Sequence, residues 1–167
     1  MLKALSEAGG PCSEGDEVSK VCANALQFGR QKKKEGELNE AQASLEQAAR
    51  LLPESPLIHQ ALGEVYEKRG EREKAIAAFE KGVELKPGLY PAWRALSRLY
   101  AQQGRYAKAL DALERLLRLP DQDLTPLATS REEIEKEREA AQQKLEEARG
   151  KTRALFNQGQ EALSKGE

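Results

Sequence analysis

The 167-residue chain is short of aromatic side chains, which make up 5% of it, and it holds one tryptophan, one histidine and two cysteines. Each shortage excludes something. His59, Cys12 and Cys22, placed as they are, do not make a four-ligand zinc site. The two cysteines read as ordinary thiols, and a bridge between them would staple only the amino-terminal edge. No run reaches the roughly 18 apolar residues of a membrane span. The opening MLKALSEAGG lacks the apolar centre of a signal peptide, so a cytoplasmic protein without membrane insertion is expected. The net charge of −1 gives no overall pull toward nucleic acid or an anionic membrane. No G-x-x-x-x-G-K phosphate loop, H-E-x-x-H metal helix or nucleophile elbow occurs. The expectation is no enzyme, no cofactor and no metal.

What the chain has in quantity is Ala, Leu, Glu, Lys, Arg and Gln, the good helix formers. Charged residues make up 33% and apolar residues 39%. This composition predicts an all-α protein with a thin core, and the length suits one continuous domain.

The stretch Pro56–Leu89, PLIHQALGEVYEKRGEREKAIAAFEKGVELKPGL, reads as two helices joined at Arg69-Gly70 and closed by Pro87. Shifted by about 34 residues either way, it matches its neighbours. Gly36, Gly70 and Gly104 fall in one column, as do Ala41, Ala75 and Ala109. Phe28, Leu62 and Leu96 form an apolar column, with Leu45, Phe79 and Leu113 in another. Gly29, Gly63 and Ser97 form a small-residue column that lets two helices approach closely. The turn glycines suit the left-handed backbone that ends a helix, and the prolines stop the second helix. The predicted helices cover 16–34, 38–51, 56–69, 72–85, 90–103 and 106–118. One unit alone cannot form a core, so stability must come from stacking.

This pattern resembles the tetratricopeptide repeat, a 34-residue helix-turn-helix unit. Leu62-Gly63, Tyr66, Ala75, Phe79 and Pro87 occupy the signature places of the middle unit, and Trp93, Leu96, Tyr100, Ala109 and Leu113 those of the third. The first unit departs from the pattern with Lys32 where the family prefers tyrosine. The resemblance implies a superhelical α-solenoid of antiparallel helix pairs. Its expected organisation is a flexible segment at 1–15, three repeats within 16–123 (about 22–55, 56–89 and 90–123) and a linker at 124–130. Residues 131–167 then form a capping helix, or an insertion plus a partial fourth repeat. Ser130-Arg-Glu-Glu133 is a capping box that starts this helix. Gly159 and Gly166-Glu167 repeat the spacing of Gly29 and Gly36-Glu37, which suggests a fourth unit cut at its turn and a chain that is a fragment of a longer array.

In this family the first helix of each pair lines the concave groove. The matching positions are Leu26, Arg30, Lys33 and Lys34; then Leu57, Gln60, Glu64, Glu67 and Lys68; then Pro91, Arg94, Arg98 and Gln102. In the candidate fourth unit they are Arg153, Phe156 and Gln160. The resemblance thus implies a protein or peptide partner, and the basic third unit points to an acidic one. Arg94 and Arg98, one helical turn apart, are suited to grip a carboxylate. Against this, Glu64 and Glu67 can pair with the same arginines and neutralise them. The candidate partner-binding residues are Arg30, Lys33, Gln60, Glu64, Arg94 and Arg98. The carboxylate clamp of chaperone-binding members would fall on Leu26, Arg30, Ala61, Pro91 and Ala95, of which only Arg30 is polar, so that activity is not expected. Two alternatives stand beside the scaffold reading: a regulatory or targeting module of a larger enzyme or assembly, and an oligomerisation unit using 130–167. His59 is expected to be a packed interface residue. Partner identity and oligomeric state are not encoded in any motif.

Overall fold

A computed structural model describes residues 17–119 and 130–165. The amino-terminal segment 1–15, both cysteine side chains, residues 124–129 of the linker and Gly166-Glu167 lie outside the described residues. Seven helices follow in order among the described residues: α1 Glu17–Glu35, α2 Leu38–Leu51, α3 Pro56–Lys68, α4 Arg72–Leu85, α5 Tyr90–Gln102, α6 Tyr106–Leu117 and α7 Arg131–Lys165. There is no strand among these residues. The chain divides into two compact units, Met1–Leu96 and Ser97–Glu167, with the boundary inside α5.

The first unit shows how the repeat columns work. Gly36 and Gly70 have φ of 82° and 77°, a conformation in which a Cβ is costly. Past each glycine the chain folds back with the same hydrogen bond. The Glu37 N–H donates to the Lys32 carbonyl at 3.0 Å, and the Glu71 N–H to the Tyr66 carbonyl at 2.9 Å. The next helix starts at once. In the small-residue column, a Cβ on Gly29 would stand 2.8 Å from Leu45, and one on Gly63 would stand 2.7 Å from the Phe79 ring. Those glycines let α2 and α4 close onto α1 and α3. Ala41, Leu45, Ile58, Leu62 and Val65 are buried between the helices of successive pairs.

The proline ends also repeat. The Trp93 indole N–H donates to the Pro87 carbonyl at 2.8 Å. One repeat earlier, His59 Nε2 stands 2.8 Å from the Pro53 carbonyl, which requires the tautomer with hydrogen on Nε2. His59 thus does structural work of the kind its tryptophan counterpart does.

Two expectations fail here. Phe28 shares the apolar column of Leu62, yet it is 44% exposed, against 5% for Leu62. Its ring instead lies beside the Lys32 ammonium, 5.6 Å from the ring centroid. Leu26 falls on a groove position, yet it is buried and packs with the core of α2 and α3.

In the second unit, Gly104 makes the same turn, with φ of 71° and an Arg105 N–H to Tyr100 carbonyl bond of 2.9 Å. Ser97, third in the small-residue column, is buried. The capping box at the start of α7 forms reciprocally. The Glu133 N–H donates to Ser130 Oγ at 3.2 Å, and the Ser130 N–H donates to Glu133 Oε2 at 3.0 Å. Arg131 donates to the carbonyls of Leu117 and Leu119, at 2.7 and 2.6 Å, and so satisfies acceptors left over at the end of α6. Ile134 and Ala141 are buried where α7 packs on α6. Beyond Leu145 every described side chain of α7 is exposed, and the helix runs unbroken through Gly150 and Gly159.

Candidate peptide-binding face

α1 carries Arg30 and Lys33, and α3, packed beside it, carries Gln60 and Glu64. Three of these four side chains meet. The Lys33 ammonium bonds to Glu64 Oε2, and Gln60 Nε2 donates to Glu64 Oε1 at 2.9 Å. Side-chain exposure is 19% for Lys33 and 33% for Glu64, so the ion pair is partly withdrawn from solvent and is screened less than a surface pair. Arg30 is exposed and does not join them. The expectation sets Glu64 against Arg94 and Arg98; the structure gives both of its carboxylate oxygens to Lys33 and Gln60. Arg94 is half-buried and Arg98 exposed, four residues apart on α5, Arg94 in the first unit and Arg98 in the second.

A second set of polar contacts has no counterpart among the expectations. The Tyr66 hydroxyl of α3 donates to Glu46 Oε1 of α2 at 2.8 Å, and Gln42 donates to the same oxygen at 2.7 Å. Burial, followed by the Glu46 carboxylate, pushes the Tyr66 hydroxyl up to about 12. Glu46 is held below its usual value by the bonds from Gln42 and Tyr66. Arg69 links the same two repeats lower down by donating to Asn39. The sequence carries only half of this signal: Tyr66 is legible as a column residue, but its hydroxyl partner lies 20 positions away.

The position of Tyr66 is taken by Lys32 in the first repeat and Tyr100 in the third. Lys32 bonds Glu37 at 2.5 Å and lies 3.3 Å from both Glu35 and Glu40. The Glu37 carboxylate is the main reason its ammonium is held above its usual value. Around both tyrosines a lysine 8 residues further on approaches the ring: Lys74 stands 5.7 Å from the Tyr66 centroid and Lys108 5.3 Å from that of Tyr100. Such contacts are worth about 0.5–1 kcal/mol each at exposed sites.

Among the described residues no group of three or more His, Cys, Asp or Glu is placed to hold a metal ion. No described helix is long and apolar enough to cross a membrane. Of the five positions that would form a carboxylate clamp, Leu26, Ala61 and Ala95 are buried apolar residues, so the clamp is absent.

Helix pairs closed by a left-handed glycine, spaced 34 residues apart and packed through a small-residue column, define an all-α repeat protein of the solenoid class. The tetratricopeptide repeat model matches residues 33–96 and 69–131, more than half of the chain taken together, and the chain belongs to that family. Its fold is similar to the type III secretion translocator chaperone SycD of Yersinia enterocolitica, at 16% identity and a TM-score of 0.68, over 82% of this chain and 99% of that one. It is also similar to the TPR2B domain of yeast Sti1, solved in complex with pHsp70, at 20% identity and a TM-score of 0.63, over 74% and 98% of the two chains. The Sgt2 TPR domain of Aspergillus fumigatus matches at 20% identity and a TM-score of 0.61, over 85% and 87%. At these identities the likeness is one of fold. Among curated proteins, no sequence matches the chain.

Proposed function

We propose that this protein is a non-enzymatic interaction scaffold that holds an acidic peptide or helix of a partner protein against the first helices of its repeats. The contact residues are Arg30 and Lys33 on α1, Gln60 and Glu64 on α3, and Arg94 and Arg98 on α5. The observation that carries the acidic preference is the Lys33–Glu64–Gln60 cluster. It occupies both oxygens of the Glu64 carboxylate, and Arg30 and Arg98 are exposed. Two arginines one turn apart match the two oxygens of a carboxylate better than lysines would. SycD has been solved with a peptide of the translocator YopD, and the TPR2AB domain of yeast Sti1 with pHSP90, which makes peptide binding a use to which this fold is put.

The test reverses the charge. In the full chain, Arg94→Glu with Arg98→Glu should weaken binding of a Glu-rich extended peptide at least about tenfold, and wild-type binding should fall steeply with added salt. Binding that survives both the reversal and the salt would sink the acidic-groove reading.

A further inference from the structure

We infer that the distal half of α7, residues 148–163, is a second docking surface, built to receive an acidic amphipathic helix of a partner protein. It is distinct from the first helices of the repeats.

α6 has 12 residues, about 18 Å of helix, and α7 has 35, about 52 Å. α6 therefore covers only part of α7. At about 100° per residue, Ile134, Ala141, Leu145, Thr152, Phe156 and Leu163 all fall within an arc of about 60°. The first two are buried in the part of the helix that α6 covers. The last three continue the same face with no described helix over them. Phe156 is 62% exposed, Leu163 80%, and Leu155 at the edge of the stripe 69%. Among the described residues few large apolar side chains are exposed, and these three are gathered on one element. A face that already takes a helix along its first half presents the same side-chain geometry along its second.

Gly159 lies within the arc, and a Cβ placed on it would meet nothing within 4 Å. At Gly29 and Gly63 the equivalent space is filled by a bulky side chain from the partner helix, Leu45 and Phe79. The bare glycine of α7 allows the same close approach by another helix, which a lipid surface does not require.

Charge selects the occupant. Residues 132–147 carry seven carboxylates, whereas 148–163 carry Arg149, Lys151 and Arg153 against one carboxylate, Glu161, with Arg149 also 3.5 Å from Glu146. Ala148, Arg149, Thr152, Arg153 and Phe156 surround a shallow depression beside the stripe. Three cations within five residues favour an occupant helix with acidic flanks.

The test uses the full chain and two labelled helical peptides of roughly 18 residues, alike in a leucine stripe at helical spacing but flanked by Glu in one and Lys in the other. The Glu-flanked peptide should bind and the Lys-flanked one should not. Phe156→Glu with Leu163→Glu should weaken binding at least about tenfold. Arg149→Glu with Arg153→Glu should transfer the preference to the Lys-flanked peptide. In the Arg94→Glu, Arg98→Glu chain binding should persist and should then be lost on adding Phe156→Glu with Leu163→Glu, which separates it from the groove. Equal binding of the two peptides, or insensitivity to the Phe156 and Leu163 changes, overturns the proposal. So does preferential capture by phosphatidylserine vesicles, or light scattering that shows a dimer dissolved by those same changes.

Discussion

The first and second repeats share a backbone and differ in what closes it. Both end their first helix on a glycine with positive φ and return to a carbonyl five residues back. In the second, the residue offering that carbonyl is Tyr66, whose ring packs and whose hydroxyl reaches Glu46 on the preceding helix pair. In the first it is Lys32, which gathers Glu35, Glu37 and Glu40 around one ammonium. The apolar column differs in the same direction, with Leu62 buried and Phe28 exposed. A repeat with neighbours on both sides can place aromatic and aliphatic groups where they are covered. Among the described residues α1 packs on α2 and α3, and at the position of Tyr66 it carries a charged group instead of an aromatic ring.

Truncating the matched column should give the largest contrast. Leu62→Ala should cost about 2–5 kcal/mol in chemical denaturation, whereas Phe28→Ala should cost no more than about 0.5–1 kcal/mol. Equal losses at the two positions would mean that Phe28 is buried in solution.

Tyr66→Phe removes one hydroxyl from the better-packed repeat and should cost about 1 kcal/mol, because the bond reaches a charged acceptor but is only part-buried. Its pH dependence has a defined sign. The Tyr66 pKa is raised from 10.0 to about 12 by folding, so the stability it contributes is complete below pH 10 and is lost as pH rises toward 12. Glu46 is shifted the other way, so its share is present above its usual value of 4.5 and is lost as pH falls below that. The difference between wild type and Tyr66→Phe should therefore be widest between those limits and close at either end. A constant difference across the range would exclude the Tyr66–Glu46 bond as its source.

The smallest effect is also the most direct exchange. Lys32→Tyr installs the second repeat's residue in the first. It should leave the melting temperature nearly unchanged, because exposed ion pairs contribute little, and should flatten its dependence on salt. A large loss of stability would show that the carboxylates around Lys32 depend on it for more than pairing.

Much of the fold is legible in the sequence because its signals are local. Gly36, Gly70 and Gly104 recur at the period of the unit, and each marks a backbone conformation that other residues adopt reluctantly. Ser130 and Glu133 announce a helix start within four residues. The candidate site is legible only as a set of positions. Arg30, Lys33, Gln60 and Glu64 follow from spacing, but spacing does not reveal that Lys33 and Gln60 share the Glu64 carboxylate while Arg30 stands apart. Phe28 and Leu26 depart from their columns for a related reason. The column rule assumes that every repeat is packed alike, and with Phe28 exposed and Leu26 buried the first is packed differently from the second.

By itself the sequence determined the period, the turns, the helix boundaries and the family, because each depends on residues within one or two turns of one another. Only the tertiary structure decided which polar groups answer each other across repeats. The bonds from Tyr66 to Glu46, from Lys33 to Glu64 and from Arg131 to the end of α6 join residues 12 to 31 positions apart. It also decided that α6 stops short and leaves Phe156 and Leu163 uncovered. Hydrophobic period tells a helix which face to bury; how much of that face finds a neighbour depends on where the neighbour ends.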